Sequence, residues 1–125
     1  MRLYQRVRKN IQKLIDVNPA YITVTRKAGI DDGAGGYVFT ETTLASIKVR
    51  LFNRSVMTIS STDGGKLDIT KAKLMCDWCA NLRRYTSTNE DTFVLNGEKF
   101  RVLDVKDYRV DNFTVKKEAE VELID

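Results

Sequence analysis

The 125-residue chain contains no histidine, one proline and only two cysteines. Without histidine there is no Ser–His or Cys–His dyad, no imidazole general base and no imidazole ligand for zinc. Two cysteines are also too few for a four-cysteine zinc site. We therefore expect no metal, no cofactor and no enzymatic activity, and the composition favours a binding or structural protein.

Long hydrophobic runs are missing as well. No stretch approaches the roughly 20 apolar residues that a membrane-spanning helix needs, and the N-terminal segment MRLYQRVRKN lacks the apolar region of a signal peptide. Hydrophobic residues still make up 42% of the chain, which is too many for a disordered protein. We expect one domain, residues 1–125, that folds in the cytoplasm of the cell that makes it.

Charge is distributed unevenly along the chain. The net charge is +4, yet residues 1–27 alone contain seven basic residues and one acidic residue. The last eight residues, EAEVELID, contain four acids and no base. This pattern indicates either nucleic-acid contact at the basic front or head-to-tail contact between copies of the chain.

The first 18 residues predict an amphipathic helix. Leu3, Val7, Ile11 and Ile15 recur every four residues, with Leu14 beside them. The helix should end before the single proline, because a residue that precedes proline disfavours helical geometry. We expect the apolar face to dock on a sheet. The polar face is a candidate surface for a partner or nucleic acid, through Arg2, Arg6, Arg8, Lys9 and Lys13.

The pattern from residue 20 onward is typical of β-structure. Alternating apolar residues predict strands near residues 20–25, 37–40 and 45–52, and a further strand up to about residue 76. Asn96-Gly97 predicts a type I′ hairpin turn. A last strand should turn Phe113, Val115, Ala119, Val121 and Leu123 inward. Six to eight strands predict a small antiparallel β-barrel or sandwich over residues 20–125, in a mainly β fold with one N-terminal helix.

Several groups of residues resemble sites for chemistry without completing one. Cys76 and Cys79 form a CxxC pair, but no strand–helix–strand unit surrounds them, and we expect two reduced, mostly buried thiols beside Trp78. The acidic pairs match no cation-binding spacing and are expected to be solvated; they are Asp31-Asp32, Glu90-Asp91 and Asp104 with Asp107.

Basic and aromatic residues alternate at Lys99-Phe100-Arg101 and at Tyr108-Arg109. On the face of a β-barrel such residues stack on and neutralise single-stranded nucleic acid. An OB-like nucleic-acid-binding domain is therefore the alternative to a structural protein.

The order of segments resembles a family of small head–tail connector proteins of tailed phages and prophages, the head-completion or stopper class. The segments are ASIKVRLFNR, GGKLDIT, KLMCDW and EDTFVLNGEKFRVLDV, and the resemblance covers roughly residues 20–123. Its most recognisable part runs from Asp91 to Val105. Family members often read Gly-Asp-x-Phe there, and Glu90 stands here for the glycine.

The resemblance implies a non-catalytic β-barrel subunit of a ring at the portal vertex of the virion. One side of the ring would meet the adaptor below the portal and the other the tail or its terminator. A loop between central strands would project into the channel, contact packaged DNA and help to retain it. Its polar composition predicts a mobile loop; by position it comprises Asn53, Arg54, Ser55, Val56, Met57, Thr58, Ile59, Ser60, Ser61, Thr62, Asp63, Gly64, Gly65 and Lys66.

Overall fold

The computed structural model describes residues 1–60 and 64–124, and within them one helix and eight strands. Helix α1 spans Leu3–Val17. The strands are β1 (Ala20–Ile22), β2 (Thr25–Asp31), β3 (Tyr37–Thr43), β4 (Ile47–Ser60), β5 (Lys66–Asp77), β6 (Asn89–Leu95), β7 (Glu98–Val110) and β8 (Phe113–Leu123).

All eight strands belong to one antiparallel sheet in the order β1-β4-β5-β8-β7-β6-β2-β3. Buried side chains from β1, β4, β5, β6, β7 and β8 meet in a single core, so the sheet curls around them. The hydrogen bonds do not close the sheet into a barrel, because β1 and β3 remain as edges. The predicted mainly β fold with an N-terminal helix is confirmed, and of the two predicted architectures the open sheet fits the sandwich rather than the barrel.

Helix α1 docks through only part of the predicted stripe. Ile11 and Ile15 are buried, whereas Leu3 and Leu14 are exposed. Polar and aromatic contacts hold the N-terminal half instead: Arg8 Nε donates to the carbonyl of Thr114 at 2.9 Å, and its guanidinium lies 3.8 Å from the Trp78 ring centroid. Arg8 is therefore a docking residue of the fold.

The predicted β6–β7 hairpin is confirmed. Asn96 and Gly97 have φ values of 52° and 79°, as a type I′ turn requires. Asp111 and Asn112 form a second such turn between β7 and β8, with φ values of 51° and 66°. In β8 the inward positions Val115, Ala119 and Val121 are buried as predicted.

Phe113 is the exception in β8, because it is 39% exposed. Its ring stacks on Tyr4 of α1, with a centroid separation of 4.0 Å. The prediction that Phe113 faces inward with the other apolar residues of β8 is wrong, because its ring packs against α1 instead of entering the core.

The segment from Asn53 to Lys66, which was predicted to be a mobile loop, is largely strand: β4 continues to Ser60 and β5 begins at Lys66. Its residues 61–63 lie outside the described residues. A separate turn joins β2 to β3, and hydrogen bonds from the Ala34 and Gly36 amides lower the pKa of the Asp32 carboxyl there.

Candidate assembly surfaces

A bulge divides β4 into a core half and a projecting half. The β4–β5 register shifts between Phe52 and Ser55, and Asn53 between them has a φ of 52°. A bulge bends its strand and increases the local twist. We call the hairpin beyond it, residues 55–60 and 66–71, the β4–β5 arm.

The β4–β5 arm carries apolar side chains that the domain does not bury. Val56 is 62%, Met57 56%, Ile59 46% and Leu67 60% exposed. A two-stranded hairpin gains little stability from its own contacts. Met57, Ile59 and Leu67 share one face of the arm, since side chains alternate along a strand and Ile59 pairs with Leu67. This exposed apolar face is a candidate interaction surface.

A second exposed hairpin lies at the other end of the sheet. Among the strands that the structure describes, β3 pairs only with β2, and all seven of its residues are exposed. Its apolar side chains Tyr37, Val38 and Phe39 are joined by Ile30 on β2. Gly29 makes room for the Phe39 ring, since a Cβ there would lie 2.9 Å from Phe39 Cε1. We call residues 28–43 the β2–β3 hairpin.

Four of the five predicted basic residues of α1 form one stripe. Arg2, Arg6, Lys9 and Lys13 are exposed and lie at i, i+4, i+7 and i+11, opposite the buried isoleucines. Within residues 1–60 and 64–124, no ion pair involves them. We call these four residues the cationic stripe.

The cationic stripe opposes the intrinsic electrostatics of its helix. Cations near a helix N-terminus face the positive end of the helix dipole, and the first turn contains no acid. Like charges four residues apart are unfavourable too. An external polyanion would remove both penalties.

The glutamates of residues 118–124 have partners within the chain. Glu120 pairs with Lys71 at 3.4 Å and Glu122 with Arg101 at 3.2 Å. Partial burial raises the pKa of Glu118, but hydrogen bonds from Tyr108 and Lys116 outweigh it and the net pKa is lowered. Contact between a basic front and an acidic tail stays a prediction, and it would compete with these internal partners.

The most buried charged pair is structural. Arg26 donates to both carboxylate oxygens of Asp91, at 2.8 and 2.9 Å. Asp91 also accepts the Arg83 amide at 2.8 Å and the Asn89 side-chain amide at 3.3 Å. The expectation that Asp91 is a solvated loop acid is wrong: it is 0% exposed and ties β2 to β6 and the preceding link.

Two other acidic candidates accept hydrogen bonds from nearby backbone amides. Asp31 accepts the Gly33 amide and Asp104 accepts the Val105 amide, both within 2.9 Å. In the described residues, no three His, Cys, Asp or Glu side chains come close enough together to hold a metal ion.

The two cysteines have different environments. Cys76 is fully buried in the core, and burial raises its pKa to about 12. Cys79 is exposed, so the prediction of two mostly buried thiols holds for Cys76 alone. Trp78 next to them is engaged by the Arg8 guanidinium.

Most of the alternating basic and aromatic residues of β7 make contacts within the chain. Phe100 is 1% exposed and stacks on Phe93. Arg101 pairs with Glu90 and Glu122 and lies over the Tyr85 ring. The Tyr108 hydroxyl donates to Glu118. These residues do not form a free platform for stacking bases.

No family model matches the chain, and a search of curated proteins finds no significant relative. In the part of the chain that the structure describes, no helix is long and apolar enough to cross a membrane.

Proposed function

We propose that the chain is a structural head–tail joining protein of a tailed phage or prophage. Copies of it form a ring at the portal vertex of the virion, between the adaptor and the tail or tail terminator, and help to retain packaged DNA. The β4–β5 arm carries this proposal. It is an exposed hairpin at the sequence position that the resemblance assigns to the channel segment, and the domain itself does not bury its apolar residues.

A ring gives each exposed element a partner. The core beneath the sheet is closed within one chain, whereas the β4–β5 arm and the β2–β3 hairpin leave apolar side chains in solvent. A subunit that works by assembly needs such surfaces and needs no catalytic group. The cationic stripe on the outer face of α1 supplies a surface for an acidic adaptor or for packaged DNA.

The test removes the β4–β5 arm without disturbing the core. Val56 and Thr70 are paired across the arm, so replacing residues 57–69 by Asn-Gly closes a two-residue type I′ hairpin between them. The isolated variant should fold with nearly unchanged stability, because the excised side chains are mostly exposed. Particles assembled with the variant should have heads of normal size that lose their packaged DNA.

The exposed substitution Lys106→Ala on β7 is the matched control and should give normal particles. Electron microscopy and the DNA content of nuclease-treated particles measure the outcome. A folded arm-deletion variant that supports normal yields of DNA-filled, tailed particles would contradict the proposal.

One observation favours a second candidate function, a nucleic-acid-binding domain. The cationic stripe offers four basic side chains to a phosphate backbone, and none of the ion pairs among the described residues would have to break. In this alternative the chain acts on nucleic acid without joining a ring, and binding would be tight in solution.

A further inference from the structure

The sheet ends in two free backbone edges of similar length. Strand β3 exposes one edge over its seven residues. In β4, β1 pairs only with Ile47, Lys48 and Val49, so residues 55–60 of the arm have no strand on the side away from β5 within the described part of the chain. Unpaired strand edges are templates for another strand.

Neither edge carries the usual protection against pairing. Natural edge strands are blunted by lysines, prolines or a covering element. β3 contains neither lysine nor proline, and its only charged residue is Glu41. In residues 55–60 of β4 there is no charge at all, and three of the six side chains are Val56, Met57 and Ile59.

The two hairpins also differ in charge. The β2–β3 hairpin contains three acids, Asp31, Asp32 and Glu41, and no base. The β4–β5 arm contains two lysines, Lys66 and Lys71, and one acid, Asp68. Lys71 pairs with Glu120, whereas Lys66 is in no ion pair within residues 1–60 and 64–124. Association of unlike hairpins is favoured over association of like ones.

We propose that β3 of one copy adds to the free edge of β4 in the arm of a second copy, joining the sheets of neighbouring subunits. Strand addition satisfies the two rows of backbone groups and covers the apolar side chains of both hairpins. Because the two edges differ, a pair of copies keeps one free β3 edge on one copy and one free β4 edge on the other. Such a contact propagates and gives a closed ring when its rotation closes.

Crosslinking between single cysteines tests this contact. The background substitution is Cys79→Ser, since buried Cys76 does not react. Thr40→Cys marks β3 and Val56→Cys marks the arm. A short bismaleimide should link the two variants when they are mixed as concentrated full-length proteins, and should link neither variant to itself. A chain with both substitutions should form a ladder of multimers.

Two matched variants separate a specific contact from random collision. Asn10→Cys places a thiol on the exposed face of α1, which does not contact β2 or β3, and linkage to Val56→Cys should stay at background. Val38→Lys on the β3 edge should reduce the specific linkage at least tenfold. Val94→Lys should not reduce it, because Val94 is equally exposed, 59% against 56%, but lies on an interior strand.

A tandem protein removes low affinity as a reason for failure. Two full chains joined by about 30 flexible residues span about 30 Å and reach effective concentrations near the millimolar range. Thr40→Cys in one half should crosslink to Val56→Cys in the other. Background linkage in both the mixture and the tandem would overturn the proposal, as would linkage of Thr40→Cys to itself or insensitivity to Val38→Lys.

This inference deepens the proposed function, and the two can fail separately. Specific linkage together with normal particles from the arm-deletion variant would mean that the chain self-assembles but does not complete heads. Absent linkage together with leaking particles would retain the head–tail function and reject this contact between copies.

Discussion

Asp91 is the residue on which the buried polar contacts converge. Arg26, Arg83 and Asn89 donate four hydrogen bonds to its two carboxylate oxygens, and the carboxylate has no contact with solvent. Its position in the Asp-x-Phe motif is thereby explained: the aspartate orders β2 and β6, and Phe93 two residues later enters the core.

Removing this carboxylate should be severely destabilising. Asp91→Ala leaves the Arg26 guanidinium buried without its partner, a change that costs about 3–5 kcal/mol in comparable pairs. Urea unfolding followed by circular dichroism measures the free energy of unfolding. The control is Glu98→Ala, which breaks the exposed pair with Arg54 and should leave the free energy of unfolding nearly unchanged. Equal losses for the two variants would contradict a structural role for Asp91.

The cysteines should differ sharply in reactivity. With its pKa raised to about 12, Cys76 is a neutral thiol at pH 8, and a thiol is far less nucleophilic than a thiolate. The native protein should release one equivalent of chromophore rapidly from an aromatic disulfide reagent at pH 8, and two after denaturation. Cys79→Ser should abolish the rapid phase. Two rapid equivalents in the native wild type would show that Cys76 is accessible.

At the level of elements, turns were predictable where their chemistry is local. Asn96-Gly97 specifies its own turn because both residues accept positive φ. The β4–β5 arm was missed because its serines and threonines resemble a loop. The arm is a strand because it pairs with residues 66–71, and a short apolar run does not encode that register by itself.

The ion pair of Arg26 with Asp91 was not predicted either. The two residues are 65 positions apart in the sequence, and only the folded sheet brings them together.

The cationic stripe should make any duplex-DNA binding electrostatic. For duplex DNA, each phosphate contact steepens the slope of log affinity against log salt concentration by about 0.9. The triple variant Arg6→Ala, Lys9→Ala, Lys13→Ala should weaken binding and flatten that dependence, whereas Lys106→Ala on β7 should not. Fluorescence anisotropy at several salt concentrations measures both quantities.

The same titration distinguishes the two candidate functions. Weak binding that disappears at high salt agrees with a ring subunit that meets DNA only when many copies are assembled. Tight binding that survives high salt, or that prefers one sequence, would favour the nucleic-acid-binding domain instead.

Arg8→Ala should chiefly lower stability, because Arg8 holds α1 against Thr114 and Trp78.

The whole molecule has one hydrophobic core and two unpaired strand edges among its described residues, on β3 and on residues 55–60 of β4. Fold class, helix and C-terminal meander were predictable because periodicity and turn residues report them directly. The exposed surfaces were not predictable, because the exposure of β3 and of the β4–β5 arm depends on the complete strand order. That order leaves two hairpins that one chain cannot cover, and assembly is the function they support best.

Electron cryo-microscopy of the head–tail junction tests this account most directly. If the proposed function holds, a phage or prophage encodes the chain, and the measurement uses its particles, in which mass spectrometry tests whether the chain is present. We expect a ring of copies between the head and the tail, with each β4–β5 arm directed toward the channel axis. Purified, DNA-filled and tailed particles that lack the chain would contradict the central claim.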